Sequence, residues 1–391
     1  MSAIEPLVAR AEELAYDLDL AHVRAWKAAA PRRLAIGYLP VWAPRELFWA
    51  CGALPVAILG GGDRLEIIKG DACFQSYVCH LPRSVVELGL SGRLDALDGM
   101  VFPSICDVIR NLSGMWRMLF PKKFARYLDL PQNFDPELGG AFFAGELRRL
   151  RDDLIKLGAR PPSDDDLRRA VALYDENRKL HDALFALRRA QPWNAPTSEV
   201  YVLVRAGAVL PPDEHSELLR AYLAAAEAEP RPPRDNARVA VVGAFCEQPP
   251  LDLIKTLEQA GCYVVHDDFV LGARFIKGTI GPLAAGEDPL DGIARAFLEK
   301  SMAHASVWTA RGGKGDELVE TVQRCGAEGV LFASPSFCDP ALLDQPMLQR
   351  ALDRAHVPHT NFKYSENSGQ FQGIREQAGT FADAIKLWSE A

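Results

Sequence analysis

The chain is predicted to be an α/β protein of two doubly wound parallel-sheet units, with helical segments at its N-terminus and between the units. Three observations carry that expectation. Short apolar runs alternate with helical patterns up to about residue 130 and again after about 236. The stretch between them is charged, Ala-rich and Leu-rich at helical spacing. The two strand-rich stretches also parallel each other. Arg33-Leu-Ala-Ile-Gly37 followed by Ala50-Cys-Gly-Ala-Leu-Pro-Val56 matches Arg238-Val-Ala-Val-Val-Gly243 followed by Ala260-Gly-Cys-Tyr-Val-Val265. Further on, Asp98-Gly-Met-Val-Phe-Pro-Ser-Ile-Cys-Asp107 matches Glu328-Gly-Val-Leu-Phe-Ala-Ser-Pro-Ser-Phe-Cys-Asp339. In both, a buried-strand pattern ends in small residues and then Cys-Asp, where parallel strands meet a ligand crevice.

Four segments follow. In residues 1–30, Leu7, Ala11, Leu14, Ala15, Leu18 and Ala21 recur every three to four positions, a helical segment that Pro31 ends. Residues 31–130 form the first α/β unit. Its strands are expected at Arg33 to Leu39, Gly52 to Leu59 and Leu97 to Phe102, and its helices at Pro44 to Cys51, around Leu81 to Leu90, and from near Cys106. Residues 131–235 form a helical region with helices at Glu146 to Leu157, Asp164 to Leu187 and His215 to Ala228. Ser163 before three aspartates is a helix start, and Glu229-Pro-Arg-Pro-Pro-Arg-Asp235 is a linker. Residues 236–391 form the second α/β unit, with strands at Val239 to Val242, Tyr263 to Val265 and Gly329 to Ala333.

The 391 residues are 48% hydrophobic and 25% charged, the balance of a globular chain with a large core. A net charge of −8 argues against a general nucleic-acid binder. No apolar run approaches a membrane span, and the acidic start does not suit a signal peptide, so a cytoplasmic location is expected, with no membrane or nucleic-acid partner. Eight cysteines in a chain read as cytoplasmic are core residues, ligands or nucleophiles, not a disulfide framework.

Three of them fall where chemistry is favoured. Cys106 and Cys338 lie just past a strand at a helix start, and Cys79 precedes a helix-like run. Arriving from separate loops at one crevice they would form a metal or cluster site; otherwise they are unrelated core or loop cysteines. No CxxC pair suggests a zinc ribbon. Cys73 is the alternative to Cys79. Glu46, early in a helix opened by Pro44, either complements the helix dipole or handles protons near such a site. His80 and His266 are ligands, proton carriers or simply hydrogen-bonded residues. Gly60-Gly-Gly62 and Gly312-Gly-Lys-Gly315 fit no phosphate-loop motif and read as turns.

Pro44-Arg-Glu-Leu with Gly52-Ala-Leu-Pro-Val56, Cys79-His-Leu-Pro-Arg83, Asp98-Gly-Met-Val with Ile105-Cys-Asp107, Val264-Val-His-Asp-Asp268 with Gly272-Ala-Arg274, and Phe337-Cys-Asp-Pro340 together resemble the 2-hydroxyacyl-CoA dehydratase and benzoyl-CoA reductase family. Phe74 to Ser84 and Asn111 to Trp116 are most similar to the smaller cluster-bearing subunit of its ATP-dependent reductases. The resemblance implies two Rossmann-like units and one 4Fe-4S cluster held by Cys79, Cys106 and Cys338, with Glu46 as the nearby catalytic acid. Val41 stands where related dehydratases carry a hydroxyl residue. The resemblance also implies a related cluster-bearing partner subunit, a separate ATP-hydrolysing iron-sulfur activator supplied by reduced ferredoxin, and an aromatic acyl-CoA substrate. It favours ring reduction of benzoyl-CoA over water elimination from a 2-hydroxyacyl-CoA. A contrasting possibility is a non-catalytic assembly or maturation protein of the same fold. Phe74, Tyr77, Phe102 and Trp116 suit either an aromatic pocket or an ordinary core.

Overall fold

The computed structural model describes residues 2–243, 246–268, 276–301, 313–365 and 371–389. The N-terminal helical segment consists of two helices, α1 (Ile4–Ala15) and α2 (Ala21–Ala28). The break has a local cause. Leu20 adopts a left-handed conformation (φ 52°), and the Asp17 side chain accepts the His22 amide (3.0 Å), starting a new helix instead of continuing the old one.

The first unit runs β1 (Leu34–Tyr38), α3 (Arg45–Ala50), β2 (Ala53–Ala57), α4 (His80–Leu90), β3 (Gly99–Pro103), α5 (Asp107–Leu119) and β4 (Phe124–Leu128). Its four strands are all parallel, in the order β2-β1-β3-β4. A helical layer follows: α6 (Ala141–Leu157), α7 (Asp164–Ala190), α8 (Thr197–Ala206) and α9 (Pro212–Ala228). The second unit runs β5 (Ala237–Val242), α10 (Leu251–Gln259), β6 (Cys262–Asp267), α11 (Pro289–Lys300), α12 (Lys314–Cys325), β7 (Gly329–Pro335), α13 (Asp339–Arg354), β8 (His359–Tyr364) and α14 (Gln372–Ser389). Its sheet, β6-β5-β7-β8, is also all parallel and repeats the first strand for strand. The internal likeness of the sequence is therefore a likeness of topology.

Central strands β3 and β7 are buried along their whole length, as continuous apolar runs require when helices cover both faces. The edge strands β4 and β8 were not foreseen from sequence. Both are largely half-buried or exposed and lack such a run. Helix α8 was also missed. Its buried residues are nearly continuous from Val200 to Ala206, which hides the helical period.

Helix α7 joins the layers. Ser163 and Asp166 cap its start reciprocally, as the sequence suggested. Its buried Arg178 pairs with Glu46 of the first unit, and its buried Arg188 pairs with Asp267 at the end of β6. Ten residues of helix rise about 15 Å, so one rigid element is tied to both units by buried ion pairs.

Candidate functional site

In a sheet of order 2-1-3-4 the chain reverses direction beside the first strand, and a crevice opens beyond the C-terminal ends of strands 1 and 3. This protein has two such places, at β1/β3 and at β5/β7. Three residues beyond β3 stands Cys106, the residue that caps α5; three beyond β7 stands Cys338, which caps α13. Cys79 caps α4 in the same manner. Each cysteine therefore sits where unpaired helix amides and the helix dipole favour negative charge. The amides of Val108 and Ile109 lie toward Cys106, and that of Ala341 toward Cys338, where they stabilise the sulfur anions without making the short contact of a full cap.

The chain conformation around the site is unusual. Phe337, directly before Cys338, has φ 65°, and Val41, in the turn between β1 and α3, has φ 126°. For a bulky or β-branched residue these are strained conformations, and such strain gathers where loops are held for function. Gly70 makes a close approach beside the same region. A Cβ there would overlap the carbonyl oxygen of Arg83, in the first turn of α4.

The three sulfurs share one environment. Burial pushes Cys79 well above the ordinary thiol range, raises Cys106, and pushes Cys338 up to about 12. Charge on Cys106 acts on both Cys79 and Cys338, and charge on Cys338 acts on Cys79. Arg83 partly offsets this at Cys79 while pairing with Asp71 (3.0 Å). As bare groups the three are neutral at pH 7, and together they carry charge only with cations between them.

The chemistry of this donor set suits an iron-sulfur cluster: soft thiolates from three separate helix starts, with amides directed at sulfur. Among the described residues, no three His, Cys, Asp or Glu side chains gather closely enough to hold a single metal ion. A cubane places each thiolate on its own iron, so its ligands stand farther apart than those of one zinc.

Cys73, the alternative, lies on a 3-10 turn and directs its thiol to the Lys69 carbonyl (3.5 Å). Cys51, Cys262 and Cys325 are buried core thiols. His80 is the buried first residue of α4, and His266 lies half-buried within β6. Phe102 packs against Trp116 (5.9 Å) and Trp116 against Phe120 (4.3 Å), so this pair is core; Tyr77 is exposed. Gly60 and Gly62 take the left-handed conformation of turns, and Gly61 donates its amide to Ser84 Oγ (2.6 Å). Gly272 to Arg274 and Gly312 lie outside the described residues.

Glu46 is completely buried, so it is more than a surface partner of the α3 dipole. One oxygen pairs with Arg178, which also pairs with Asp175 (3.0 Å), and the other has no hydrogen-bond partner among the described residues. Arg45 lies over the Tyr174 ring (5.0 Å) beside this group.

The residue that sequence reasoning missed is Glu247. It is buried, its Oε2 accepts the His80 amide (2.8 Å) directly after Cys79, and its charge acts on Cys79 and Cys338. The signal was present in the internal repeat. Glu46 follows the first strand of its unit, and Glu247 follows the first strand of the other. Each unit thus places an acid after its first strand and a cysteine after its third.

The profile of the family described as 2-hydroxyglutaryl-CoA dehydratase, D-component, matches residues 40–385. The chain is 52% identical over 384 residues, 98% of its length and 99% of the relative's, to a benzoyl-CoA reductase polypeptide of Thauera aromatica, named as one of that enzyme's subunits. It is 25% identical to the (R)-phenyllactyl-CoA dehydratase beta subunit of Clostridium sporogenes (90% of this chain, 91% of the relative). It is also 25% identical to the beta subunit of (R)-2-hydroxyglutaryl-CoA dehydratase of Acidaminococcus fermentans (92% and 94%).

Proposed function

The chain belongs to the 2-hydroxyglutaryl-CoA dehydratase D-component family, and we propose that within it the chain is a subunit of a benzoyl-CoA reductase, an oxidoreductase that dearomatises benzoyl-CoA to a cyclohexadiene-carbonyl-CoA. The observation that carries this reading is the identity with a reductase subunit along nearly the whole chain, far above that with the dehydratase subunits.

The proposed cofactor is one 4Fe-4S cluster on Cys79, Cys106 and Cys338. When bound, such a cluster supplies single electrons at a potential set by burial and by hydrogen bonds to sulfur. The chain's own contribution is to hold and screen it. Three helix starts present the thiols, the amides of α5 and α13 offset their charge, and Cys338 is buried while Cys79 and Cys106 are half-buried. Glu46 is proposed as the acid of the first unit's crevice, oriented by Arg178.

The relatives are named as subunits, so the chain works in an assembly. We place beside it a related cluster-bearing subunit and an ATP-hydrolysing iron-sulfur activator fed by reduced ferredoxin; the chain itself has no Walker motif. Among the described residues no helix is long and apolar enough to cross a membrane. The eight free cysteines suit a reducing compartment such as the cytoplasm.

The family profile and the dehydratase subunits favour one second reading, a subunit that serves water elimination from a 2-hydroxyacyl-CoA. An anaerobic assay of the full complex with activator, ATP and a strong reductant separates them. ATP-dependent conversion of benzoyl-CoA to a cyclic diene thioester is expected. Rapid dehydration of a 2-hydroxyacyl-CoA with no ring reduction overturns the proposal.

A further inference from the structure

The geometry points to Glu247 as the fourth protein ligand of the cluster, its carboxylate oxygen binding the iron that receives no thiolate. This inference rests on the reading of Cys79, Cys106 and Cys338 as ligands and deepens it.

Glu247 is tied by separate bonds to the segments that carry two of the three cysteines. Its Oε2 accepts the amide of His80, the residue after Cys79. Its backbone carbonyl accepts the hydroxyl of Tyr364 (2.7 Å), whose own carbonyl accepts the amide of Ser336 (2.6 Å), two residues before Cys338. The loop is held from a third side by Tyr201 of α8, whose hydroxyl donates to the Pro249 carbonyl (2.7 Å). First unit, helical layer and second unit therefore all fix the position of one acid, which is 1% exposed.

Electrostatics supplies the second argument. A buried carboxylate beside the buried Cys338 and the half-buried Cys79 repels the anions those thiols become on binding metal. The arrangement is favourable once iron lies among the four groups. Three thiolates leave one iron of a cubane open to an oxygen ligand, and a hard carboxylate oxygen suits iron. In the binding step, the carboxylate oxygen takes the place of a water molecule on that iron. The water leaves intact, and no electron or proton is transferred. Unlike bound water, this ligand belongs to the chain, so it secures the most labile iron and adds negative charge that lowers the potential.

The test uses the anaerobically purified complex, wild type and Glu247→Gln, reduced and compared by electron paramagnetic resonance in ordinary and ¹⁷O-enriched water. Iron and sulfide are measured first. A wild-type complex whose iron and sulfide per assembly do not fall when Cys106→Ser is introduced in this chain defeats the cluster reading itself, independently of Glu247. With the cluster present, the Glu247→Gln variant is expected to gain ¹⁷O broadening as water occupies the vacated iron, to lose that iron more readily under mild oxidation, and to show a higher midpoint potential. Equal broadening and equal iron retention in the two proteins overturn the assignment. Glu247→Asp serves if the glutamine variant does not assemble. Its shorter carboxylate is expected to restore ligation in part, and iron loss no slower than in Glu247→Ala overturns the proposal equally.

Discussion

Replacing Glu46 by glutamine separates two physical roles by magnitude. As a partner of the α3 dipole alone, the carboxylate would be worth about 0.3–1 kcal/mol. The structure gives it a larger one. Arg45 and Arg178 are balanced here by Glu46 and Asp175, two cations against two anions in a buried group. Glu46→Gln removes one anion and leaves a net positive charge. Breaking a buried pair costs roughly 3–5 kcal/mol. Because Asp175 stays 3.0 Å from Arg178, the lower end applies, about 3 kcal/mol. At 1.36 kcal/mol per decade, that is a loss of about a hundredfold in the folded-to-unfolded ratio. The assay is anaerobic urea unfolding followed by tryptophan fluorescence, with the slope against urea checked for equality so that the midpoint shift reports stability. Glu46→Leu combined with Arg178→Met removes both charges, and Asp175 retains the amides of Ile280 (2.8 Å) and Gly281 (2.9 Å). This double variant is expected to lose less than the sum of its single changes. A loss below about 1 kcal/mol for Glu46→Gln, or additivity in the double variant, would refute the buried-pair account. If the folded Glu46→Gln complex retains full turnover, the proposed role of this acid in the reaction is refuted as well.

Stability is expected to fall in mild acid because of His215 on α9. Its Nε2 meets the Leu203 carbonyl (2.9 Å) and its Nδ1 faces Asn177 Nδ2 (3.1 Å), while burial draws its pKa down to about 4 and holds neighbouring His181 well below the usual range. The unfolded ring takes a proton near 6.5, so this contribution is complete above that pH and is lost as pH falls toward 4. For His215 alone the loss by pH 5 is about 2 kcal/mol, and urea midpoints at pH 7 and 5 that differ equally in wild type and His215→Gln would contradict it. Gly70→Ala forces a methyl against the Arg83 carbonyl, so it is expected to cost about 1–3 kcal/mol and to lower the iron content by displacing the start of α4. Wild-type stability together with wild-type iron content would show that this contact does not position Cys79.

The α/β class, the duplicated topology and most of the central elements are legible along the chain, because these follow from local chemistry. Buried parallel strands need continuous apolar runs, as in Gly99 to Pro103 and Gly329 to Pro335, and the Ser163 cap is written in four consecutive residues. The Cys-Asp endings that recur at Cys106 and Cys338 marked two strand-to-helix junctions. What remained open there was whether Cys79, 27 residues before Cys106, and Cys338, 232 residues after it, meet in space. That depends on how the two sheets and the helical layer pack, and no local pattern encodes it. The same reason hid the edge strands β4 and β8, which pair on one side and carry no continuous apolar run. It also hid the burial of Glu46 against Arg178, 132 positions away, and the arrival of Glu247 at the amide after Cys79. Charged residues look alike in sequence whether they face water or one another, and only tertiary packing removes the water that would make the difference small.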